Sequence, residues 1–314
     1  MVNSAYLRSF GAYTPERIVS NAEIAARIGR DPSWILDMTG IEERRWAAPG
    51  ETVASMGAAA GRKCLAGVGD ARVGLVLVAS GTGDRRFPGP ASAVAHQLGL
   101  GTVPAIDLPV ASAGSIFGMV LACQLTPAYG DVLVVATERM STTVDREPMD
   151  PSSAMLFGDG AGACLVSSMA SSMASSITGG WRAVDWALHS DGSMADLIQL
   201  PLDGPFVMDG MGVIAAASRR IPAVIQESLG KAGVDAAAID QFILHQANQN
   251  LLTRIARSLS VPPEKVYSNI RRYGNTSSAS MLIAAAEAGP VGDTLCFAAF
   301  GAGLHWGALV AQKH

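Results

Sequence analysis

Continuous apolar runs that alternate with helical segments constrain the fold of this chain more than any other feature. Residues 73–80, 132–136 and 161–167 are apolar, without the alternation that marks a strand with one face in water. Between them, residues 91–98 and 112–125 space their apolar side chains as helices do. Such runs are typical of strands that helices cover on both faces. The pattern therefore predicts an α/β fold with a buried, parallel-rich sheet.

A serine-rich stretch, 168–180, interrupts this pattern, and a second α/β pattern follows it. Its low complexity is typical of a surface connection. The spacing beyond it predicts helices at 211–230, 248–259 and 277–288. It predicts strands at 241–244, 294–300 and 306–311. We therefore expect two α/β halves, 1–167 and 181–314, joined by a linker over 168–180.

Composition argues against several classes of function. The 314 residues carry a formal net charge of −4, which removes the general electrostatic basis for binding nucleic acid. No apolar run approaches the roughly 18 residues of a membrane-spanning helix, and no signal-peptide pattern opens the chain. We therefore expect a cytoplasmic protein that does not enter a membrane. The four cysteines are far apart and form no CxxC pair, which argues against a zinc site or a disulfide framework.

The stretch 107–119 joins a strand that the sequence predicts at 103–108 to the predicted helix 112–125, through a run of small residues. Ser112 stands at the start of that helix. Free backbone N–H groups and the positive end of the helix dipole meet at such a position. The position therefore suits a nucleophile or a bound oxyanion.

Three polar or glycine-rich turns stand out in the second half. His245 comes directly after a predicted strand and opens His-Gln-Ala-Asn. Asn275 lies in Gly-Asn-Thr-Ser-Ser-Ala-Ser at 274–280, and Gly303 lies in Phe-Gly-Ala-Gly-Leu-His-Trp-Gly at 300–307. Ligands of open α/β sheets bind beyond the carboxyl ends of the strands. A lone histidine there is more often structural, but the asparagine and the flanking motifs favour catalysis.

These motifs, in this order and at this spacing, resemble the 3-oxoacyl-acyl-carrier-protein synthase III family of the thiolase superfamily. Segments 15–21, 34–41 and 157–163 match the family as well. The resemblance implies a five-layered αβαβα sandwich of two similar halves, assembled as a homodimer. It also implies a condensing enzyme with no permanently bound cofactor. Its substrates would be an acyl thioester, on coenzyme A or acyl carrier protein, and malonyl-acyl carrier protein, so the carrier protein would be a partner.

The resemblance also assigns roles to individual residues. In the family a cysteine attacks the acyl thioester, and a histidine and an asparagine promote decarboxylation of the malonyl thioester. The matching positions here are Ser112, His245 and Asn275. The backbone N–H groups of Ser112 and Gly303 would form a second oxyanion hole, for the acyl-enzyme step.

Substrate-binding positions of the family correspond to Trp34, Phe87 and Phe157. Trp34 is the expected platform for the adenine of coenzyme A. Phe87 either lines the acyl pocket across the dimer or packs within its own turn. Many family members also hold coenzyme A with three arginines, where this chain has Met38, Pro151 and Asn250. Because cations bind pyrophosphate strongly, their loss favours an acyl group on a carrier protein as the donor.

The serine at position 112 departs from the cysteine of the family. A helix N-terminus can pull a thiol with a pKa of about 8.5 toward the thiolate. The dipole supplies at most about 2 kcal/mol, which cannot ionise a hydroxyl. A working Ser112 therefore needs a general base, and His245 is the candidate that the sequence offers. Two explanations are open: a natural serine in a divergent acyltransferase, or a cysteine-to-serine replacement that traps a substrate complex.

Condensation is the main functional hypothesis, because the decarboxylative step is the one that needs Asn275. One alternative is a non-condensing acyltransferase that passes the acyl group to an alcohol or amine, or a starter-unit enzyme of a secondary-metabolite pathway. Another is an inactive partner subunit of a condensing complex. The intact His245, Asn275 and Gly303 count against an inactive subunit.

Overall fold

The computed structural model of the protein describes residues 5–69, 71–168, 180–201, 203–289 and 291–313. The strands are β1 (Ala5–Tyr13), β2 (Ile18–Ser20), β3 (Glu43–Arg45), β4 (Val73–Ala79), β5 (Ala105–Leu108), β6 (Asp131–Arg139), β7 (Asp159–Ser168), β8 (Trp181–Ser190), β9 (Ile198–Gln199), β10 (Val207–Met208), β11 (Gln241–Leu244), β12 (Thr294–Gly301) and β13 (His305–Lys313). The helices are α1 (Asn21–Ile28), α2 (Pro32–Thr39), α3 (Val53–Ala66), α4 (Ala91–Gln97), α5 (Gly114–Tyr129), α6 (Ser141–Val144), α7 (Pro151–Ala154), α8 (Gly210–Ala232), α9 (Gln249–Ser258), α10 (Ile270–Tyr273) and α11 (Ser280–Ala288).

A nine-stranded mixed sheet runs in the order β11-β12-β13-β8-β1-β7-β6-β4-β5. Its two parts, one from each half of the chain, meet where β1 pairs with β8 at Tyr6 opposite Arg182 and Leu7 opposite Trp181. Among the described strands of this sheet, pairing is parallel between β4 and β5, β4 and β6, and β11 and β12, and antiparallel elsewhere. The prediction of a parallel-rich sheet is therefore wrong. Apolar runs report that both faces are buried, which covering helices cause whatever the direction of the strands.

Helices cover both faces of each part of the sheet. α5 and α11 lie between the two parts, where Ile116, Met119 and Leu282 share one apolar core with strands of both. α3 and α4 cover the outer face of the first part, with Met56 and Val94 in a second core. α8 and α9 cover the outer face of the second part over a third core. The order of layers confirms the predicted five-layered αβαβα sandwich, a thiolase-like fold.

Capping residues set several helix ends. Ser20 caps α1 and Asp31 caps α2, each accepting a hydrogen bond from a backbone N–H of the first turn. Gly40 ends α2 in the left-handed conformation, with φ 74°. α5 differs from the prediction, because it begins at Gly114 and leaves Ser112 in the turn before the helix.

Residues 169–179 of the predicted linker lie outside the described residues. The strands on either side of them, β7 and β8, both pair with β1.

In the part of the chain that the structure describes, no helix has the length and apolar character needed to cross a membrane. No group of three His, Cys, Asp or Glu side chains in that part could hold a metal ion.

The cysteines do not supply the thiol that position 112 lacks. All four are unpaired and buried. Burial raises the pKa of the Cys64 thiol to about 11 and the pKa values of Cys123 and Cys296 to about 12. It raises the pKa of Cys164 as well. Since the thiolate is the nucleophilic form, these side chains are inert at neutral pH.

Candidate active site

The turn that carries Ser112 is tightly constrained. Ser112 has φ 61°, in the left-handed region that residues other than glycine seldom adopt. The end of β12 passes directly beneath it, so that a Cβ placed on Gly301 would lie 2.0 Å from the carbonyl oxygen of Ala111 and 2.7 Å from the backbone nitrogen of Ala113. Only glycine allows this approach. The closeness of β12 therefore fixes where the Ser112 side chain lies.

His245 is buried and presents an N–H group to the site. It follows β11, and its Nδ1 lies 2.6 Å from the hydroxyl of Ser280. That hydroxyl also accepts a hydrogen bond from the backbone N–H of Gln246 at 3.0 Å. Among the described contacts, Nδ1 of His245 is the acceptor to which the Ser280 hydroxyl can donate its proton. The ring proton is therefore assigned to Nε2. Burial lowers the pKa of His245 to about 4, so the ring is neutral at pH 7.

Asn275 is the second side chain whose donor has no hydrogen-bond partner among the described residues. Its Oδ1 accepts the backbone N–H of Ser277 at 2.9 Å, which fixes the orientation of the amide. Its backbone is held by Leu156, whose carbonyl accepts the Asn275 N–H at 2.9 Å, and by the N–H of Gly158, which donates to the Asn275 carbonyl at 3.0 Å. The side chain is buried, and its NH₂ group remains for a ligand.

One cavity of about 200 Å³ brings these residues together. Ser112, His245, Asn275 and Phe157 all line it, and most of the remaining lining is aliphatic or aromatic. Met38, which is 48% exposed, lies at its solvent end. An apolar passage that ends at two neutral N–H donors and a hydroxyl suits a thioester, since donors act strongly where water is excluded.

The other predicted oxyanion donors are arranged differently. The N–H of Ser112 donates to the hydroxyl of Ser277 at 3.1 Å. Gly303 has φ 77° and lines a second, larger cavity of about 1170 Å³, together with His305. The two cavities share Gly81 and several other lining residues, so they adjoin. Use of the Ser112 N–H by a ligand requires that Ser277 release or share it.

The predicted substrate-binding residues are only partly gathered at the site. Phe157 lines the first cavity and contacts Phe206 edge to face, with ring centroids 5.2 Å apart. Trp34 is half-buried outside the residues that line either cavity, and the guanidinium of Arg30 lies 5.4 Å from its ring centroid. Phe87 is 85% exposed. The structure thus brings Phe157, but not Trp34 or Phe87, to the cavity within this single chain.

Of the three positions where the resemblance leads us to expect arginines, Met38 lines the first cavity, whereas Pro151 and Asn250 line neither cavity. The side-chain amide of Asn250 donates to the carbonyl oxygens of Asp37 and Met38, at 3.3 and 3.2 Å. Pro151 is the first residue of α7. Asn250 thus joins α9 to α2, and Pro151 begins a helix. Neither side chain offers a cation to a phosphate.

A buried carboxylate behind the Ser112 turn was not anticipated from the sequence. Glu138, at the end of β6, is 0% exposed. Its Oε1 accepts hydrogen bonds from the hydroxyls of Ser277 at 3.0 Å and Ser278 at 2.7 Å. Its Oε2 accepts the hydroxyl of Thr82 at 2.6 Å and the N–H of Gly81 at 3.0 Å. The available signal was a charged residue just beyond the apolar run 132–136. A buried charge needs dedicated partners.

Burial of His245 predicts a pH-dependent stability. In the unfolded chain the imidazole protonates near pH 6.5, whereas in the fold it stays neutral down to about pH 4. The unfolded state therefore binds more protons in this window, and the free energy of unfolding falls as the pH falls. We expect His245 to contribute a loss of roughly 3 kcal/mol between pH 7 and pH 4. Urea unfolding of the protein and of His245→Gln across this range measures the difference; parallel curves would contradict the assignment.

The fold and the site define the class first: a thiolase-like protein with a small-residue turn, a histidine and an asparagine around one passage. Comparison with known proteins narrows it. The sequence model for 3-oxoacyl-[acyl-carrier-protein] synthase III matches residues 106–192, and the model for its C-terminal part matches residues 229–313. The chain is 38% identical to β-ketoacyl-[acyl-carrier-protein] synthase III 2 of Streptomyces coelicolor, over 96% of this chain and 92% of that one. It is 35% identical to the synthase III of Trichormus variabilis, over 96% of each.

Solved structures agree. The crystal structure of the synthase III from Aquifex aeolicus is 32% identical, with a TM-score of 0.91 over 98% of this chain and 100% of that one. The priming β-ketosynthase of a polyketide biosynthetic pathway is 30% identical, with a TM-score of 0.89 over 99% of this chain and 97% of that one. The chain belongs to the 3-oxoacyl-[acyl-carrier-protein] synthase III family.

Proposed function

We propose that this protein catalyses the decarboxylative Claisen condensation of an acyl thioester with malonyl-acyl carrier protein. The observation that carries the proposal is the pair of free neutral N–H donors, on His245 and Asn275, in the cavity that Ser112 also lines. Loss of carbon dioxide from a malonyl thioester leaves an enolate, whose oxygen two such donors stabilise. Simple acyl transfer needs donors for its tetrahedral intermediate alone, and it does not need this additional pair for an enolate.

Ser112 is the proposed acyl acceptor, acting as a serine of the protein itself and not as an inactivated cysteine. Its hydroxyl lies in a left-handed turn at the passage end, with a hydrogen-bonding partner of its own in Ser277 at 3.3 Å. The backbone N–H groups of Ser112 and Gly303 remain the proposed donors to the tetrahedral intermediate. Phe157 is proposed to contact the thioester chain within the passage.

An acyl group on a carrier protein is the proposed donor. Met38 lines the passage, and its carbonyl oxygen accepts a hydrogen bond from the Asn250 side chain; many family members have cations at these two positions. A pyrophosphate gains little there, whereas the thioester arm of a carrier protein needs the apolar passage alone. Trp34 is left as the residue for an adenine, should coenzyme A serve as well, though Arg30 already lies over its ring.

A starter-unit role in a secondary-metabolite pathway is the second candidate. It rests on the full-length likeness to a priming β-ketosynthase of a polyketide pathway. The chemistry would be the same, with a different acyl group. The non-condensing alternative is less favoured, because it leaves the free amide of Asn275 without a task.

We also propose a homodimer built from chains with two halves, 1–167 and 181–314, joined at 168–180. The exposed Phe87 and the edge strand β5, where Ile106 is 46% exposed, support an interface beside the second cavity. A partner that covers this edge would bury apolar surface that is otherwise in water. Native mass spectrometry gives the number of subunits.

Intact-protein mass spectrometry and carbon dioxide release test the function together. The protein is incubated with a panel of acyl-acyl carrier proteins and acyl-coenzyme A esters, then with malonyl-acyl carrier protein. We expect a mass gain of one acyl group, larger with carrier-protein donors and absent in Ser112→Ala, followed by release of carbon dioxide. Acylation without carbon dioxide would establish the non-condensing alternative. If Ser112→Cys is acylated and the protein itself is not, Ser112 is not a working nucleophile.

A further inference from the structure

The hydroxyl of Ser112 has a hydrogen-bond partner that leads away from His245. Ser112 Oγ lies 3.3 Å from Ser277 Oγ, and the N–H of Ser112 donates to the same oxygen at 3.1 Å. Among the hydrogen bonds between described residues, none joins Ser112 to His245. Catalytic hydrogen bonds are often long before substrate binds and tighten afterwards. The nucleophile is therefore already linked to Ser277.

The direction of this link follows from the atoms that each group offers. The Ser277 hydroxyl donates its single proton to Oε1 of Glu138, at 3.0 Å, since a carboxylate oxygen accepts hydrogen bonds. Its two lone pairs then face the N–H and the O–H of Ser112. The donors run in one direction, from Ser112 through Ser277 to Glu138.

His245 cannot supply a base from the other side. The Ser280 hydroxyl occupies Nδ1, so the nitrogen that faces the cavity carries a proton and has no free lone pair. Such a ring donates to an oxyanion but does not accept the proton of a serine. The general base that Ser112 needs must lie elsewhere, and Glu138 is the buried carboxylate connected to it.

We propose that Ser277 and Glu138 form a proton relay that takes the hydroxyl proton of Ser112 as it attacks the acyl thioester. The inference rests on the proposed acylation of Ser112. As the Ser112 oxygen bonds to the acyl carbon, its proton moves to Ser277 and the Ser277 proton moves to Glu138. The carbon–sulfur bond then breaks, and the leaving thiolate takes up the proton that the relay holds. The products are the acyl ester of Ser112 and a free thiol, with Glu138 again a carboxylate.

The relay leaves His245 and Asn275 to the second half-reaction. The two sets of groups approach residue 112 from different elements: Glu138 ends β6, whereas His245 follows β11. Ser277 stands at the junction, because its own N–H holds Asn275 in place at 2.9 Å. Acylation and decarboxylation thus use separate proton carriers and donors in one cavity.

The test compares serine and cysteine at position 112, because a thiolate does not require the relay. Ser277→Gly removes the hydroxyl and tolerates the φ of 48° at this position. We expect it to slow acylation about 100-fold with Ser112, as general-base catalysis contributes, and less than about fivefold in Ser112→Cys. Glu138→Gln, which cannot take the proton, should likewise slow acylation much more with Ser112 than in Ser112→Cys. Combining it with Ser277→Gly should slow acylation little further.

Rapid-quench mass spectrometry supplies the acylation rates. Ser115→Ala is the matched control, since it removes a buried hydroxyl one turn along, in α5, that has no hydrogen-bond partner among the residues that the structure describes. Equal slowing by Ser277→Gly in the serine and cysteine proteins would mean that Ser277 only positions the turn, and would overturn the relay. Each substitution is also combined with Ser112→Cys, and acylation of these proteins shows that they are folded. If only the cysteine protein is acylated, the proposed function of Ser112 fails before the relay is in question.

Discussion

Replacement of Asn275 by aspartate is expected to slow the release of carbon dioxide from malonyl-acyl carrier protein by about 100- to 1,000-fold. Aspartate keeps an oxygen that accepts the N–H of Ser277, a hydrogen bond of 2.9 Å in the protein. It loses the NH₂ donor and places a negative charge beside the enolate. The change therefore removes stabilisation of the oxyanion while it leaves the turn anchored. Release of labelled carbon dioxide from carboxyl-labelled substrate measures the effect.

Asn275→Ala separates the donor from the anchor. Alanine removes both the NH₂ group and the acceptor for the Ser277 N–H. If the donor is what matters, the alanine and aspartate proteins lose decarboxylation to a similar degree. If the amide only anchors the turn, the aspartate protein releases carbon dioxide like the parent and the alanine protein does not. That second result would contradict the proposed role of Asn275.

The local part of the fold could be predicted because its causes are local. The caps of α1 and α2 depend on a side chain and a backbone N–H two or three residues apart, and such pairs are visible in the sequence. The apolar strands of the first part of the sheet are evident for the same reason. Strands β1 and β8 are not, since polar side chains such as Arg8 in β1 and Asp185 in β8 interrupt their apolar pattern. Strand direction depends on partners far along the chain and leaves no local mark.

The candidate site divides in the same way. Ser112, His245 and Asn275 stand at ends of predicted elements, and motif spacing is enough to single them out. The hydrogen bond from Ser277 to Glu138 joins residues 139 positions apart, so no periodicity or spacing predicts it. The same holds for the proton on His245, which depends on Ser280. Sequence therefore indicates which residues gather at the site, and the fold decides which of them exchange hydrogen bonds.

Gly301→Ala is expected to disable residue 112 from the opposite side of the turn. The added Cβ would lie 2.0 Å from the carbonyl oxygen of Ala111 and 2.9 Å from the Cβ of Ser112. Backbone atoms cannot swing away as a flexible side chain does, so either β12 or the turn must shift. We expect the free energy of unfolding to fall by about 3 kcal/mol, as for severe overpacking. A displacement of about 1 Å at a nucleophile costs about 100-fold in rate, which sets the expected loss of acylation.

Gly230→Ala is the matched control for this prediction. Gly230 lies in α8, and a Cβ there would meet no atom within 4 Å. Alanine is the better helix former, so this variant should be as stable as the parent or about 0.5 to 1 kcal/mol more stable. Thermal unfolding and acylation rates of both variants decide the matter. A Gly301→Ala protein with the stability and acylation rate of the parent would mean that β12 yields to the added methyl group. The position of Ser112 would then have to be maintained by its hydrogen bonds to Ser277 alone.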